Sequence, residues 1–223
     1  MAEVQNRELE SKAMQVKEAA GAERALILTE LFNLTAESAN RAAEVVRNTL
    51  SKNVNRDAKQ SVFMSEGEAV ARNLREEAKT KYVNSELEEQ AALEEIEREA
   101  REILTPETID AAAVISASAL SEEQLLSAAD AVAPAGDAAS DTLLTLLSVA
   151  MERDLDGVVH HISAMNPEWE RAVLDLSVCT ANPRLDADDI ESRFETLAKD
   201  TPDGPAILSA GMNDFEISSL LRG

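Results

Sequence analysis

Two adjacent histidines, His160 and His161, and a single cysteine, Cys179, are the side chains best suited to acid–base or nucleophilic chemistry. A cysteine nucleophile needs a base within hydrogen-bond reach, and a metal site needs several convergent ligands. Adjacent positions on a helix point about 100° apart, and nothing in the sequence brings either histidine to Cys179. We therefore expect one exposed and one half-buried histidine and a buried structural cysteine, with no catalytic, cofactor-binding or metal site.

Asp154 and Asp156 precede Gly157, a spacing that resembles the start of a calcium-binding loop. Such a loop places glycine at the sixth position and glutamate at the twelfth, whereas here glycine is fourth and two valines follow. The segment is instead predicted to be a turn between helices. The sequence also lacks a Glu-x-x-His pair, a phosphate-binding glycine loop and a Gly-x-Ser-x-Gly motif. We expect a protein that is not an enzyme.

Long helices are predicted for the first part of the chain. Residues 1–105 contain no proline and only two glycines, Gly21 and Gly67. Strong helix formers dominate, and apolar residues recur at helical spacing. The apolar stripe is interrupted by a polar patch at Asn53, Asn55, Arg56 and Asp57 and by an expected break at Ser65–Glu68. The pattern predicts two or three long amphipathic helices, arranged as a hairpin or a coiled-coil-like rod. Because one helix cannot bury its own apolar stripe, self-association is expected, with an undetermined number of chains.

Short helices are predicted for the remainder, where prolines and glycines are frequent. Their starts combine a capping residue with acidic residues in the first turn, at Thr105, Ser121, Asn166, Asp186 and Asn213. The expected helices lie near residues 106–118, 122–132, 141–152, 157–164, 167–178, 187–199 and 214–221. The chain is thus predicted to be all-α, with a long-helix region over residues 1–104 and an acidic bundle of short helices over residues 105–223.

The charge is strongly acidic and unevenly distributed. The formal net charge is −22, divided into −6 for residues 1–105 and −16 for residues 106–223. Such a surface repels phosphate groups, so nucleic acids and anionic membrane surfaces are disfavoured as partners. Two explanations of the acidity remain open: solubility, or the binding of a basic protein.

The remaining observations concern location and function. A single cysteine fits a reducing compartment, the first residues lack a secretory pattern, and no apolar run approaches the roughly 18–20 residues that span a bilayer. We expect a location in the cytoplasm or inside a larger protein particle.

The leading hypothesis for the function is a structural or interaction protein that self-associates or docks through its long helices in a larger assembly. The alternative is an acidic regulatory adaptor or chaperone-like protein with a basic protein partner.

Overall fold

The computed structural model describes residues 11–50 and 55–222. Every regular element within these residues is helical, which confirms the all-α prediction. The elements are α1 (Lys12–Asn33), α2 (Ala36–Leu50), α3 (Arg56–Ile103), α4 (Ala111–Ser118), α5 (Glu122–Val132), a 3-10 segment (Ala133–Ala139), α6 (Ser140–Glu152), α7 (Asp156–Ser163), α8 (Pro167–Thr180), α9 (Ala187–Leu197), α10 (Gly204–Gly211) and α11 (Asp214–Arg222). None of these helices is long and apolar enough to cross a membrane.

The described chain divides into two compact units. Unit 1 contains residues 11–18 and 89–184, and unit 2 contains residues 19–50, 55–88 and 185–222. This division differs from the compositional boundary after residue 104. Core clusters that contain α1 or α3 side chains also contain side chains from later short helices, such as Cys179 in unit 1 and Phe194 in unit 2. In each unit, the long helices α1 and α3 therefore pack against short helices from the later part of the chain.

The main core of unit 1 surrounds α6. Its inner face is aliphatic and includes the buried Leu143, Leu147 and Ala150. Trp169 from α8 and Ala100 from α3 lie in the same cluster. A smaller cluster joins Ala13, Leu93 and Cys179. These side chains are buried because each helix contains a short apolar run. Burial of each leucine stabilises the folded state by about 1.5–3 kcal/mol.

Unit 2 has two apolar clusters. In one, the rings of Tyr82 and Phe194 lie with centroids 5.5 Å apart at an interplanar angle of 54°, and Ile27 and Leu31 pack beside them. In the other, α2, α3 and α10 supply the buried residues, which are Ala42, Ala43, Val46, Leu50, Phe63, Ile207 and Leu208. The apolar stripe of α3 in this unit is thus covered by α1, α2, α9 and α10.

Two predicted helix boundaries in the described chain are wrong, at Gly67 and at Pro106, and the sequence does not predict the break after Asn33. Gly67 lies within the continuous helix α3 and does not break it. Helix α1 ends at Asn33, because Leu34 adopts a positive φ of 36° and separates α1 from α2. Helix α4 begins at Ala111 and not at Pro106, since the carboxylate of Asp141 accepts hydrogen bonds from the backbone N–H groups of residues 107 and 108 and holds them outside the helix.

Most predicted helix starts are confirmed. Ser121, Asn166, Asp186 and Asn213 each accept a hydrogen bond from a backbone N–H in the first turn of the following helix. Thr105 is not a cap, because its hydroxyl donates to the carbonyl oxygen of Arg101. Asn53 of the predicted polar patch and the first ten residues of the predicted long-helix region lie outside the described residues, and helix α3 begins at Arg56 within that patch.

Candidate functional site

The two histidines are both exposed on α7. The Nε2 atom of His161 lies 2.8 Å from a carboxylate oxygen of Asp130 on α5. The expected half-buried position for one of them is therefore wrong. The contact joins two exposed side chains, and contacts of this kind contribute little to stability.

Cys179 lies in the smaller core cluster of unit 1, as expected for a structural cysteine. Its Sγ donates a hydrogen bond to the carbonyl oxygen of Leu93 at 3.4 Å, and its nearest apolar neighbours include Ala13. Burial raises the pKa of the Cys179 thiol above its ordinary value, and the carboxylates of Glu97 and Asp175 raise it further. The structure therefore keeps the thiol protonated and weakly nucleophilic.

Asp154 and Asp156 flank the turn that joins α6 to α7, as the sequence predicts. Asp154 has a positive φ of 53°, and its backbone N–H bonds to the carbonyl of Met151. Within the described residues, no group of three or more His, Cys, Asp or Glu side chains is arranged to hold a metal ion.

An open groove lies on the surface of unit 2. It lies between the C-terminal part of α1, the outer face of α2 and the middle of α3, and its volume is about 430 Å³. We call it the α2 groove. Its floor consists of aliphatic side chains, which include Leu31, Leu34, Val45, Val70, Leu74 and Ala78.

Val45 is the exposed part of this floor. It lies on α2 next to Val46, and the two side chains point about 100° apart: Val46 is fully buried in the core, whereas Val45 is 45% exposed. Leu34, Val70 and Leu74 are partly buried beside it. The groove therefore presents continuous aliphatic surface to solvent, a property that marks interaction sites more often than isolated exposed residues do.

The rim of the α2 groove carries charges of both signs. On α2, Arg41 donates to Glu37 at 2.8 Å, and on α3, Lys81 lies 2.9 Å from Glu77. The hydrogen bond from Lys81 lowers the pKa of Glu77, and the positive charge of Arg41 lowers it further. The same bond raises the pKa of Lys81, with a further contribution from Glu30 on α1. The rim charges of three helices thus interact around the opening.

The polar groups at the groove are largely satisfied by one another. Besides the two ion pairs, the hydroxyl groups of Thr35 and Ser38 lie within hydrogen-bond distance, at 3.1 Å. A site for a small molecule requires a few polar groups that converge on the ligand. Here the polar groups pair with one another along the rim, so the aliphatic floor is the part of the groove that is left for contact with a bound molecule.

No local pattern in the sequence predicts this groove. It consists of residues 27–45 and 70–81, which only the packing of the helices brings together.

Comparison with protein-family models, with curated proteins and with solved structures finds no match for this chain. The functional proposal therefore rests on the residues of the α2 groove and on the distribution of charge over the two units.

Proposed function

We propose that this chain is a non-enzymatic, self-associating structural protein. Its α2 groove binds the side of helix α2 that carries Val45 in a second copy. The single observation that carries the proposal is the aliphatic floor of the groove, where Val45 is 45% exposed beside Leu34, Val70 and Leu74. Burial of such side chains contributes about 25 cal/mol for each Å² of apolar surface removed from water. Assembly through amphipathic helices is the role that the composition also favours.

Charge favours a second copy as the occupant. The lining of the groove includes three acidic residues, Glu30, Glu37 and Glu77, and two basic residues, Arg41 and Lys81. It is therefore close to neutral in a chain whose net charge is −22. Because like charges repel at short range, two copies approach with the least repulsion where the local charge is smallest. This region of unit 2 meets that condition.

The geometry also permits a symmetric contact. A two-fold interface uses the same patch on both copies, and the α2 groove has both parts that such a contact needs. Val45 projects from the outer face of α2, and the aliphatic floor between α2 and α3 accepts an apolar side chain. In a dimer, Val45 of each copy would enter the groove of the other, and mixed-sign rims would form ion pairs across the interface.

The test is a charge placed at the centre of the groove. Val45→Glu should weaken the dimer at least about tenfold, since a carboxylate buried in the interface loses its hydration. Leu197→Glu is the matched control, because Leu197 is also in unit 2 and is 43% exposed but lies outside the groove. Sedimentation velocity over a range of concentrations gives the mass, and circular dichroism verifies that both variants keep their helices.

Two results would contradict the proposal. The first is a parent chain that stays monomeric over the whole concentration range. The second is a dimer that Val45→Glu and Leu197→Glu weaken equally, because the α2 groove would then have no special part in the contact.

A further inference from the structure

Helix α4 in unit 1 has an exposed apolar face. Ile115 is 72% exposed and Ile109, one residue before the N-cap of the helix, is 67% exposed. Ala112 and Ala119 are exposed as well, and their spacing of three to four residues from Ile115 places them on the same side of the helix. We call Ala112, Ile115 and Ala119, together with the exposed Ile109 just outside the helix, the α4 face.

The opposite side of α4 holds the helix in place. Ala117 is buried, and Val114 and Leu120 pack against the main core of unit 1. Asp110 caps the N-terminus through a hydrogen bond of 2.9 Å from the backbone N–H of Ala112. The α4 face is therefore presented by a helix with its own anchoring contacts, and its exposure does not result from fraying.

Helix α4 contains no charged side chain, and acidic residues lie at both of its ends. Residues 111–121 contain no charged side chain. Glu107 and Asp110 precede this stretch, Glu122 and Glu123 follow it, and all four are exposed. Within the described part of the chain, none of these four carboxylates forms an ion pair with a basic residue.

Basic residues are scarce in the sequence that includes and follows α4. Residues 106–170 contain twelve acidic residues and a single basic one, Arg153. The guanidinium group of Arg153 donates to the backbone carbonyl of Leu120 at 2.7 Å. This stretch of unit 1 therefore presents an excess of negative charge that its own side chains do not neutralise, in contrast to the nearly neutral α2 groove.

We propose that the α4 face is a docking surface for a basic amphipathic helix of another protein. The apolar face of that helix would cover Ile109, Ala112, Ile115 and Ala119, and its lysines or arginines would pair with the carboxylates at both ends of α4. Since α4 has eight residues and rises about 1.5 Å for each, the basic residues of the partner should lie at least about two turns apart. The acidic unit 1 of a second copy does not fit, because like charges repel.

A labelled synthetic helical peptide of Leu, Ala and Lys, with leucines on one face, is the probe. Fluorescence anisotropy should detect its binding to the full chain, and a peptide with Glu in place of Lys should not bind. Raising the salt from about 50 to about 300 mM should weaken binding at least about tenfold, because the flanking ion pairs are exposed and screened.

The decisive comparison is between two uncharged substitutions in unit 1. Ile115→Gln should weaken peptide binding about tenfold, because it removes the most exposed apolar side chain of the face. Leu174→Gln, at a position that is 39% exposed on α8, should change it less than about twofold. The fluorescence of Trp169, which is buried in the same unit, verifies that each variant is folded.

Three outcomes would overturn the inference: no binding by the parent chain, equal binding by the parent and Ile115→Gln, or equal losses for Ile115→Gln and Leu174→Gln. Val45→Glu separates this inference from the self-association proposal. That variant alters the α2 groove of unit 2, so it should bind the peptide as the parent chain does even when it no longer forms dimers.

Discussion

Gly211 lies against the backbone of Ala39 so closely that a Cβ atom on the glycine would be 2.0 Å from the carbonyl oxygen of Ala39. The other end of α10 is equally tight, since a Cβ on Gly204 would lie 2.1 Å from the carbonyl carbon of Gly67. Backbone atoms cannot move aside as a flexible side chain can. Helix α10 therefore packs on α2 and α3 only because glycine occupies both of its ends.

Gly211→Ala should lower the free energy of unfolding by about 3 kcal/mol, because the added methyl group forces the packed helices apart. Gly21→Ala is the control. Gly21 lies within α1 with no atom near the position of an added Cβ, so alanine should raise the free energy of unfolding by about 0.5–1 kcal/mol. Urea denaturation followed by circular dichroism measures both, and equal effects of the two substitutions would refute the close approach.

Asp175 of α8 stabilises the start of α1 within unit 1. One oxygen of its buried carboxylate accepts hydrogen bonds from the Ser11 hydroxyl at 2.7 Å and from the Ala13 N–H at 3.0 Å. Asp175→Ala should lower the free energy of unfolding by about 2–3 kcal/mol, because both donors lose their hydrogen-bond acceptor in the interior. Asp175→Asn should cost less, since the amide oxygen still accepts.

The control for Asp175 is Asp130→Ala, which removes an exposed carboxylate and should change stability by about 0.5 kcal/mol or less. Urea unfolding followed by Trp169 fluorescence suits this comparison, since the only tryptophan lies on the same helix as Asp175. A cost for Asp175→Ala no larger than that for Asp130→Ala would contradict the buried cap.

Cys179 should react slowly with thiol reagents in the folded protein. Its raised pKa leaves a smaller thiolate fraction at pH 8 than an ordinary cysteine has, and the thiolate is the reactive form. The folded chain should therefore react with a disulfide reagent at least about tenfold more slowly than the chain in denaturant, where burial no longer raises the pKa. Equal rates would show that the thiol is accessible.

Tyr82 should link stability to alkaline pH. Burial raises the pKa of its phenol above the ordinary value of 10.0, and the nearby Glu86 carboxylate adds to the shift while Arg193 and Arg24 oppose it. Above pH 10.0 the unfolded chain releases this proton while the folded chain retains it. Stability from this group is therefore complete below that pH and is lost as the pH rises towards the folded pKa.

Absorbance at an ultraviolet wavelength specific for tyrosinate follows this single tyrosine directly. The ionisation should appear above pH 10.0 and should shift down to the ordinary value in denaturant. Tyr82→Phe should remove the part of the alkaline stability loss that comes from this group. A phenol that titrates at its ordinary pKa in the folded chain would contradict the burial.

Local features of the sequence predict much of the helical structure. Ser121, Asp186 and Asn213 act through hydrogen bonds within one helical turn, so the residues that decide them lie in the same short window. Helix α10 is not among the predicted helices, although Asp203 caps it and Pro205 lies in its first turn, a combination typical of helix starts.

Long-range contacts account for the remaining differences. Thr105 resembles a helix cap, but Asp141 binds the backbone of residues 107 and 108 and excludes them from α4. Gly67 resembles a helix break, but its role is to admit Gly204. Neither partner can be identified from a local window. The α2 groove and the α4 face depend in the same way on which helix faces remain uncovered after packing.

The mass of the full chain in solution, measured by light scattering as a function of concentration at about 50 and about 500 mM salt, tests the central claim most directly. We predict a dimer in which the two copies bind each other more tightly as salt increases, because screening reduces the repulsion between two chains that each carry a net charge of −22. A chain that remains monomeric up to about 100 µM at both salt concentrations, corresponding to an association weaker than about −5.5 kcal/mol, would contradict it.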